Sequence, residues 1–514
     1  MISVRIIPGD QTGNFPEGTL LLDALLEMGI IMKTPCGGKG ICGKCRTHVE
    51  GVLSDKTDAE IKAIGNKPGI RLACQTKLSG DVSVSIHESQ YTGPKTYPAV
   101  NQKNHYAIAV DVGTTSVRLA LVDVSHGMEY HLDHFLNPQR RFGHDVISRI
   151  AAAKDPESRK SMTRMICQGI FTAIKRALQS MNLPDFCIEK IVFSGNTTMM
   201  YLLFGLDVSG LGRYPFTAKH LDFHDAVPGE DNNLLFSHAR ISAIPAVSAF
   251  LGGDFLGGLT LCHQKEFSEN TFFIDLGTNG EMFLICAPEE IYAASCAMGP
   301  ALEGMNISCG MTADEGAVTH VRLDLEELVF SMIGQGPPTG LTGTALIDLT
   351  ALFLSEGLIS KNGAIVADLN QRHLPAPARL EHGKTSKQIH LWNDIVVSQK
   401  DIRNLQLAKA ACLSSARLLL QKAGCKAEDV RHVLIAGAFG AHLDLDHFRQ
   451  LGFLPDFSRA TWRDLGNTSL QAAAAACVTG QFVREAENLR KRVTEVELAR
   501  NPTFTHEFIS ALNF

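Results

Sequence analysis

Val110-Asp111-Val112-Gly113-Thr114-Thr115 recurs in type as Ile274-Asp275-Leu276-Gly277-Thr278-Asn279. Each copy sits between two apolar runs. Ala107–Val110 and Val117–Val122 flank the first; Phe272–Ile274 and Met282–Ile285 flank the second. Such runs predict strands, so each copy is a turn between strands. Glycine permits a tight turn with positive φ. Exposed N–H groups and threonine hydroxyls grip phosphate oxygens, and the aspartate is placed to hold a divalent cation through water. One such turn means little, because Asp-Gly hairpins are common. Two copies so far apart predict two similar domains in tandem, whose loops would clamp a triphosphate from both sides, not a short-period solenoid.

Working outward, further strands are expected at Ile191–Phe193 and His432–Ile435. Helices are expected over 158–180, 245–262, 343–356, 403–423 and 468–494. Alternating strands and helices make an α/β pattern. After Val433-Leu434-Ile435, the small residues of Ala436-Gly437-Ala438-Phe439-Gly440 would let an adenosine ring lie against the backbone. Two further loops are candidates near the phosphates. Gly195-Asn196-Thr197-Thr198 reads equally as a helix N-cap, and Gly299-Pro300-Ala301-Leu302-Glu303-Gly304 reads equally as an ordinary turn.

Residues 105–480 resemble the acetate and sugar kinase/Hsp70/actin superfamily, a duplicated ribonuclease-H-like α/β ATPase fold, in the order of its five signatures. The likeness makes Pro245–Gly258 and Gly466–Ala476 the two connecting helices. It implies that Asp111, Gly113, Thr114 and Thr115 contact phosphate and Mg²⁺, and that Asp275, Gly277, Thr278 and Asn279 do so in the second copy. Gly437, Ala438, Phe439 and Gly440 would hold the adenosine. Asp275, with Asp111, would be catalytic, Asp275 helping to orient the attacking water.

The first 88 residues read differently. A strand at 2–7, a turn at Gly9-Asp10, a helix from Leu20 to Met28 stopped by Gly29, a glycine-rich loop and the alternating Val82-Ser83-Val84-Ser85-Ile86 give a β-grasp (α+β) layout. Within it stands Cys36-x5-Cys42-x2-Cys45, followed by Cys74. Three thiolates on one loop and a fourth from a distant strand suit an iron–sulfur cluster. The glycines let the backbone wrap closely and point N–H groups at the sulfurs, which tunes the potential. A structural zinc site is the alternative, but zinc favours paired short spacings and only one such pair is present. The segment resembles the [2Fe–2S] ferredoxins, whose four ligands would be Cys36, Cys42, Cys45 and Cys74. Its longer first gap is nearer the adrenodoxin-like branch than chloroplast ferredoxins.

Composition sets the bounds. The chain has 514 residues, 45% hydrophobic and 20% charged, with a net charge of -6. No basic run offers itself to phosphate backbones, so no nucleic-acid partner is expected. No apolar stretch is long enough for a membrane span, and Met1-Ile2-Ser3-Val4-Arg5 does not open a signal peptide. The 13 cysteines are odd in number, and nine are scattered, which fits a reducing cytoplasm. The expected organisation is multidomain: 1–88 ferredoxin-type, 89–104 a polar linker, 105–245 the first ATPase-fold domain and 246–514 the second.

A ferredoxin joined to an ATP-clamping fold suggests ATP-gated electron transfer to a difficult acceptor. Each one-electron gap of about 59 mV costs about 1.4 kcal/mol, which nucleotide-driven closure can offset. Nearly the whole chain resembles the reductive activators of corrinoid proteins. The likeness is carried also by Asn137-Pro138-Gln139 through Asp145-Val146-Ile147-Ser148-Arg149-Ile150, by Ser194–Met199 and by Met298–Gly304. It implies a [2Fe–2S] cluster, ATP and Mg²⁺, with reduction of cob(II)alamin to cob(I)alamin on a partner corrinoid protein of a methyltransferase system, as in O-demethylation. It also implies an external low-potential electron donor and a homodimer. Three other readings are an activator of 2-hydroxyacyl-CoA dehydratases, a small-molecule kinase with an electron-carrying appendage, and a redox-responsive nucleotide-binding regulator. The first would carry its cluster cysteines inside the ATPase half, against the Cys36–Cys74 set.

Overall fold

The computed structural model describes the chain except residues 8–10, 31, 33, 35–37, 42, 87–96, 98, 224–237, 266, 268, 367–375, 383–386 and 438–442. Two compact units emerge: 1–257 with 469–487, and 258–468 with 488–514. The chain changes unit inside the helix Gly253–Gln264 and again at the start of the helix Thr468–Val478.

In the first unit, the N-terminal residues form a β-grasp. Its sheet runs Thr12–Phe15, Ile2–Ile7, Leu78–Ser85, Arg46–Leu53, Ile70–Leu72. Ile2–Ile7 lies parallel to Leu78–Ser85. The alternation of that last strand works as expected: Val82, Val84 and Ile86 are buried. They join Val4, Leu21, Leu25 and Leu72 in one core beneath the helix Leu21–Glu27. From that helix Asp23 accepts two hydrogen bonds from Arg141, at 2.9 and 3.0 Å.

The same unit holds a second sheet in the order Arg240–Ala243, Ile188–Ser194, Tyr106–Val112, Ser116–Asp123, Met128–Leu136. Its first two pairings are parallel and its last two antiparallel. Tyr106–Val112 is apolar almost throughout because both its faces are covered. The edge strand Met128–Leu136 mixes exposed and buried residues.

The second unit repeats this plan. Its main sheet runs Thr461–Gly466, His432–Ala436, Thr271–Leu276, Asn279–Ala287, Glu290–Ala297, Val493–Glu495. Again two parallel pairings precede two antiparallel ones. The duplicated turns fall at the same place in both sheets, between the central strand and its antiparallel neighbour. The chain therefore carries a ferredoxin-type β-grasp and a duplicated α/β ATPase fold.

One expected element divides. The helix over 468–494 is two helices, Thr468–Val478 and Gly480–Arg490. Gly480 is a poor helix former, and the Thr479 hydroxyl accepts the Gln481 N–H at 3.1 Å, capping a new start. Among the described residues no helix is long and apolar enough to cross a membrane.

Candidate active site and cluster site

The first turn is closed by the Gly113 N–H, which donates to the Ser116 carbonyl at 3.0 Å. Gly113 does not adopt positive φ, and neither does Gly277, contrary to the sequence expectation. At Gly113 the requirement is closeness: a Cβ there would lie 2.7 Å from the Ser116 carbonyl oxygen. The second turn is tighter, Gly277 donating to the Asn279 carbonyl at 3.1 Å.

Around the first turn the unit supplies a full set of partners. The Asn137 amide donates to the Gly113 carbonyl at 2.8 Å, and its backbone N–H to the Thr115 carbonyl at 2.9 Å. The buried Arg149 guanidinium donates to the Thr114 carbonyl. Asn196 does two things at once. Its side-chain oxygen caps the helix Thr197–Leu203 by accepting the Met199 N–H, and its amide donates to the Thr114 hydroxyl at 3.0 Å. Gly195–Thr198 is therefore a helix N-cap that also touches the first turn.

Asp111, next to last in the strand Tyr106–Val112, has one carboxylate oxygen accepting from the Ser469 hydroxyl at 2.8 Å. Ser469 also lies 2.9 Å from the Ser194 hydroxyl. Asp254, in the first turn of its helix, lies within reach of the Asp111 charge. Burial first, and then the Asp111 charge, pushes Asp254 up to about 7, against the hydrogen bond it accepts from the Phe255 N–H. Two carboxylates sharing one site repel each other, and a divalent cation relieves that repulsion. The residues therefore fit Mg²⁺.

In the second unit Asp275 occupies the place of Asp111. The Thr278 hydroxyl donates to Glu303 at 2.9 Å, which brings the Gly299–Gly304 loop against the second turn. Gly437 follows its strand at φ +102, and a Cβ on it would lie 2.5 Å from the Leu276 carbonyl oxygen and 2.6 Å from the Asp275 carboxylate. Gly195 stands in the same relation to the first copy, since a Cβ there would lie 2.6 Å from the Val112 carbonyl. Gly195 and Gly437 are thus the second half of the duplication. Ala438, Phe439 and Gly440 lie outside the described residues, as do Cys36 and Cys42.

Of the cysteine set, Cys45 and Cys74 are both buried, with their sulfurs 3.3 Å apart and no bond between them. The Gln75 amide donates to the Gly38 carbonyl at 2.8 Å and to the Cys74 carbonyl at 3.0 Å, with the Cys74 sulfur 3.7 Å away. It ties the glycine-rich loop to Cys74. Behind Cys74, the buried Glu60 accepts from Arg71 at 2.9 and 3.2 Å and from the Leu72 N–H at 2.7 Å. Two unbonded buried thiols converging beside the Gln75 amide fit a [2Fe–2S] cluster.

Comparison with known proteins follows this geometry. Residues 5–79 match the 2Fe-2S iron-sulfur cluster binding domain, 106–266 the RACo middle region, and 269–514 the C-terminal domain of RACo, the ASKHA domain. The chain is 31% identical over 423 residues to the corrinoid activation enzyme RamQ of Eubacterium limosum, covering 79% of this chain and 70% of that protein. The chain belongs to the reductive activators of corrinoid proteins. It is also 24% identical over 462 residues to the [Co(II) methylated amine-specific corrinoid protein] reductase of Methanosarcina barkeri, covering 80% and 77% of the two chains. A solved reductive activator for corrinoid,iron-sulfur protein matches with a TM-score of 0.71 and 26% identity, over 100% of this chain and 98% of that one.

Around both sites of this reductive activator stand residues that motif reading passed over. Asp254 lay inside a stretch read as a connecting helix. Arg149 and Asn137 stood in segments noted only for their likeness to the family. Glu60 and Gln75 carried no motif; a carboxylate on a short helix gives no sign that it will be buried.

Proposed function

We propose that this protein reduces cob(II)alamin to cob(I)alamin on a partner corrinoid protein in an ATP-dependent reaction, restoring that partner to methyl transfer. The observation that carries the reading is a ferredoxin fold and a duplicated ATPase fold in one chain that is 31% identical to RamQ over 423 residues. When bound, a [2Fe–2S] cluster supplies single electrons at low potential, and Mg²⁺ neutralises phosphate charge.

The chain's own residues divide the remaining work. Cys36, Cys42, Cys45 and Cys74 hold the cluster, and Gln75 fixes the loop that covers it. Asp111 and Asp254 hold the cation. Gly113, Thr114 and Thr115 bind phosphate, with Asn196, Asn137 and Arg149 fixing their backbone. Asp275 orients the attacking water, Gly277, Thr278 and Asn279 bind phosphate, and Glu303 positions the Thr278 hydroxyl. Gly437, Ala438, Phe439 and Gly440 receive the adenosine. An external low-potential donor, a homodimeric assembly and a cytoplasmic setting complete the reading; the unbonded described thiols support the last.

The test is anaerobic absorbance spectroscopy of reduced protein mixed with a cob(II)alamin-loaded corrinoid protein. A cob(I)alamin band that grows only with ATP is expected. Failure with every corrinoid partner, with the cluster intact, would overturn the proposal.

A further inference from the structure

Two cysteines outside the ligand set come closer together than any other described thiols. The sulfurs of Cys286 and Cys425 lie 2.8 Å apart, and both residues are half-buried and unbonded. A disulfide bond is about 2.05 Å long. The gap is inside ordinary sulfur contact yet outside a bond.

The backbone brings them together from elements remote in sequence. Cys286 is the extra residue of a bulge in the strand Asn279–Ala287, where Ile285 pairs with Ile291 but Ala287 pairs with Glu290. A bulge re-aims the side chain it carries. Cys425 follows Gly424, which ends the helix Gln399–Ala423 in the left-handed conformation. The Cys425 N–H then folds back onto the Leu420 carbonyl at 3.0 Å, a Schellman closure that fixes the thiol's direction. Beside the pair lies a cavity of about 580 Å³ lined by both thiols, Arg431, Arg459, Glu428 and Asp429. Its charged lining is exposed to solvent. A small molecule can therefore reach the sulfurs.

We propose that Cys286 and Cys425 are a thiol–disulfide exchange site that closes to an intrachain disulfide with a low-molecular-weight disulfide as oxidant. The Cys425 thiolate attacks one sulfur of the small disulfide, forming a mixed disulfide and releasing one small thiol. The Cys286 thiolate then attacks the Cys425 sulfur, closing the Cys286–Cys425 bond and releasing the second small thiol. Two protein thiols are oxidised, one small disulfide is reduced to two thiols, and both protons leave with the products. Burial first, and then the Cys425 thiol, pushes Cys286 up to about 12, which thins its thiolate and leaves it the second step, where proximity offsets that scarcity. The bond would staple the far end of the strand that begins at Asn279 to the end of a long helix. A bond that small thiols can reach is of the reversible kind.

The experiment uses the full-length, cluster-loaded protein, purified without oxygen and treated with oxidised glutathione. Free thiols are alkylated, the protein is digested without reductant, and the peptides are identified by mass spectrometry. The expected result is one cross-linked pair holding Cys286 and Cys425, released by reductant, together with a higher thermal midpoint. In Cys286→Ser the midpoint should stay put and a glutathione adduct should accumulate on Cys425. Recovery of the two cysteines alkylated singly, or joined to other cysteines, would overturn the proposal.

Discussion

Ser469 and Asp111 show how one hydroxyl can set the direction of a carboxylate. The serine donates at 2.8 Å and reaches the site from a helix distant in sequence. A hydrogen bond to a charged group contributes about 1.5–3 kcal/mol net. Ser469→Ala should therefore weaken Mg–ATP binding about tenfold or more, measured by calorimetric titration, with cluster absorbance unchanged. Asp111→Ala removes the carboxylate itself and should abolish ATP-dependent corrinoid reduction while dithionite still bleaches the cluster. If that variant stayed active, the assignment of the first loop would be wrong. Gln75 offers a test on the other half. Its N–H faces the Cys74 sulfur, and a donor there stabilises the extra negative charge of a reduced cluster. Gln75→Leu should lower the midpoint potential in a redox titration, whereas an unchanged potential would reduce Gln75 to a loop anchor.

At the scale of elements, a buried carboxylate joins three of them. Asp348, in the helix Gly343–Ser355, accepts from the Val321 N–H at 3.0 Å, from His320 at 3.2 Å and from His447 at 2.8 Å. Burial alone would raise Asp348, but these hydrogen bonds overcome it and hold it below the ordinary carboxylate value of 3.8. The same bonds hold both histidines above 6.5, with Asp444 adding to the effect and Asp446 adding at His447. The sign follows from linkage. The histidine contribution is fully present below pH 6.5 and is lost as pH rises through the higher folded values. The aspartate contribution is present above 3.8 and is lost as pH falls through the lower folded value. Asp348→Asn should thus lower the thermal midpoint most near pH 5 to 6, by the equivalent of about 1–3 kcal/mol. The difference should shrink as pH rises through the raised histidine values. A gap that does not vary with pH would mean that packing, not charge, holds these elements together. The elements also show what could be read in advance. The strands around both turns follow from unbroken apolar runs such as Ile108-Ala109-Val110. The Asp348 cluster does not, because its members are single polar residues scattered from 320 to 447. The Gly195/Gly437 repeat was equally hidden: a lone glycine after a strand looks like any other turn.

For the whole molecule, the cores matter most. The ferredoxin fold has a hydrophobic core of its own, including Val4, Leu25 and Val84, and among the described residues contributes only Leu26 to the buried residues of the neighbouring core. The second unit buries a third core around Ile274, Met282 and Ile435. The ligand spacing Cys36-x5-Cys42-x2-Cys45 made the first fold legible, because a cluster leaves few arrangements for its thiolates. The limits of the compact units were not legible, since the chain leaves one and returns to it within ordinary helices. Separate cores imply separable losses. Cys74→Ser removes a proposed ligand buried in the first core, and should abolish cluster absorbance while leaving nucleotide affinity within about twofold. Glu60→Ala goes further, because it strips Arg71 of its buried partner, a change that costs about 3–5 kcal/mol in comparable sites. It should unfold the ferredoxin part at a lower temperature than the rest, giving a calorimetric scan with an early transition that ATP does not shift and a later one that it does. A single transition moved by ATP in that variant would show that the three cores melt together, and that the cluster-holding fold draws its stability from the ATPase fold.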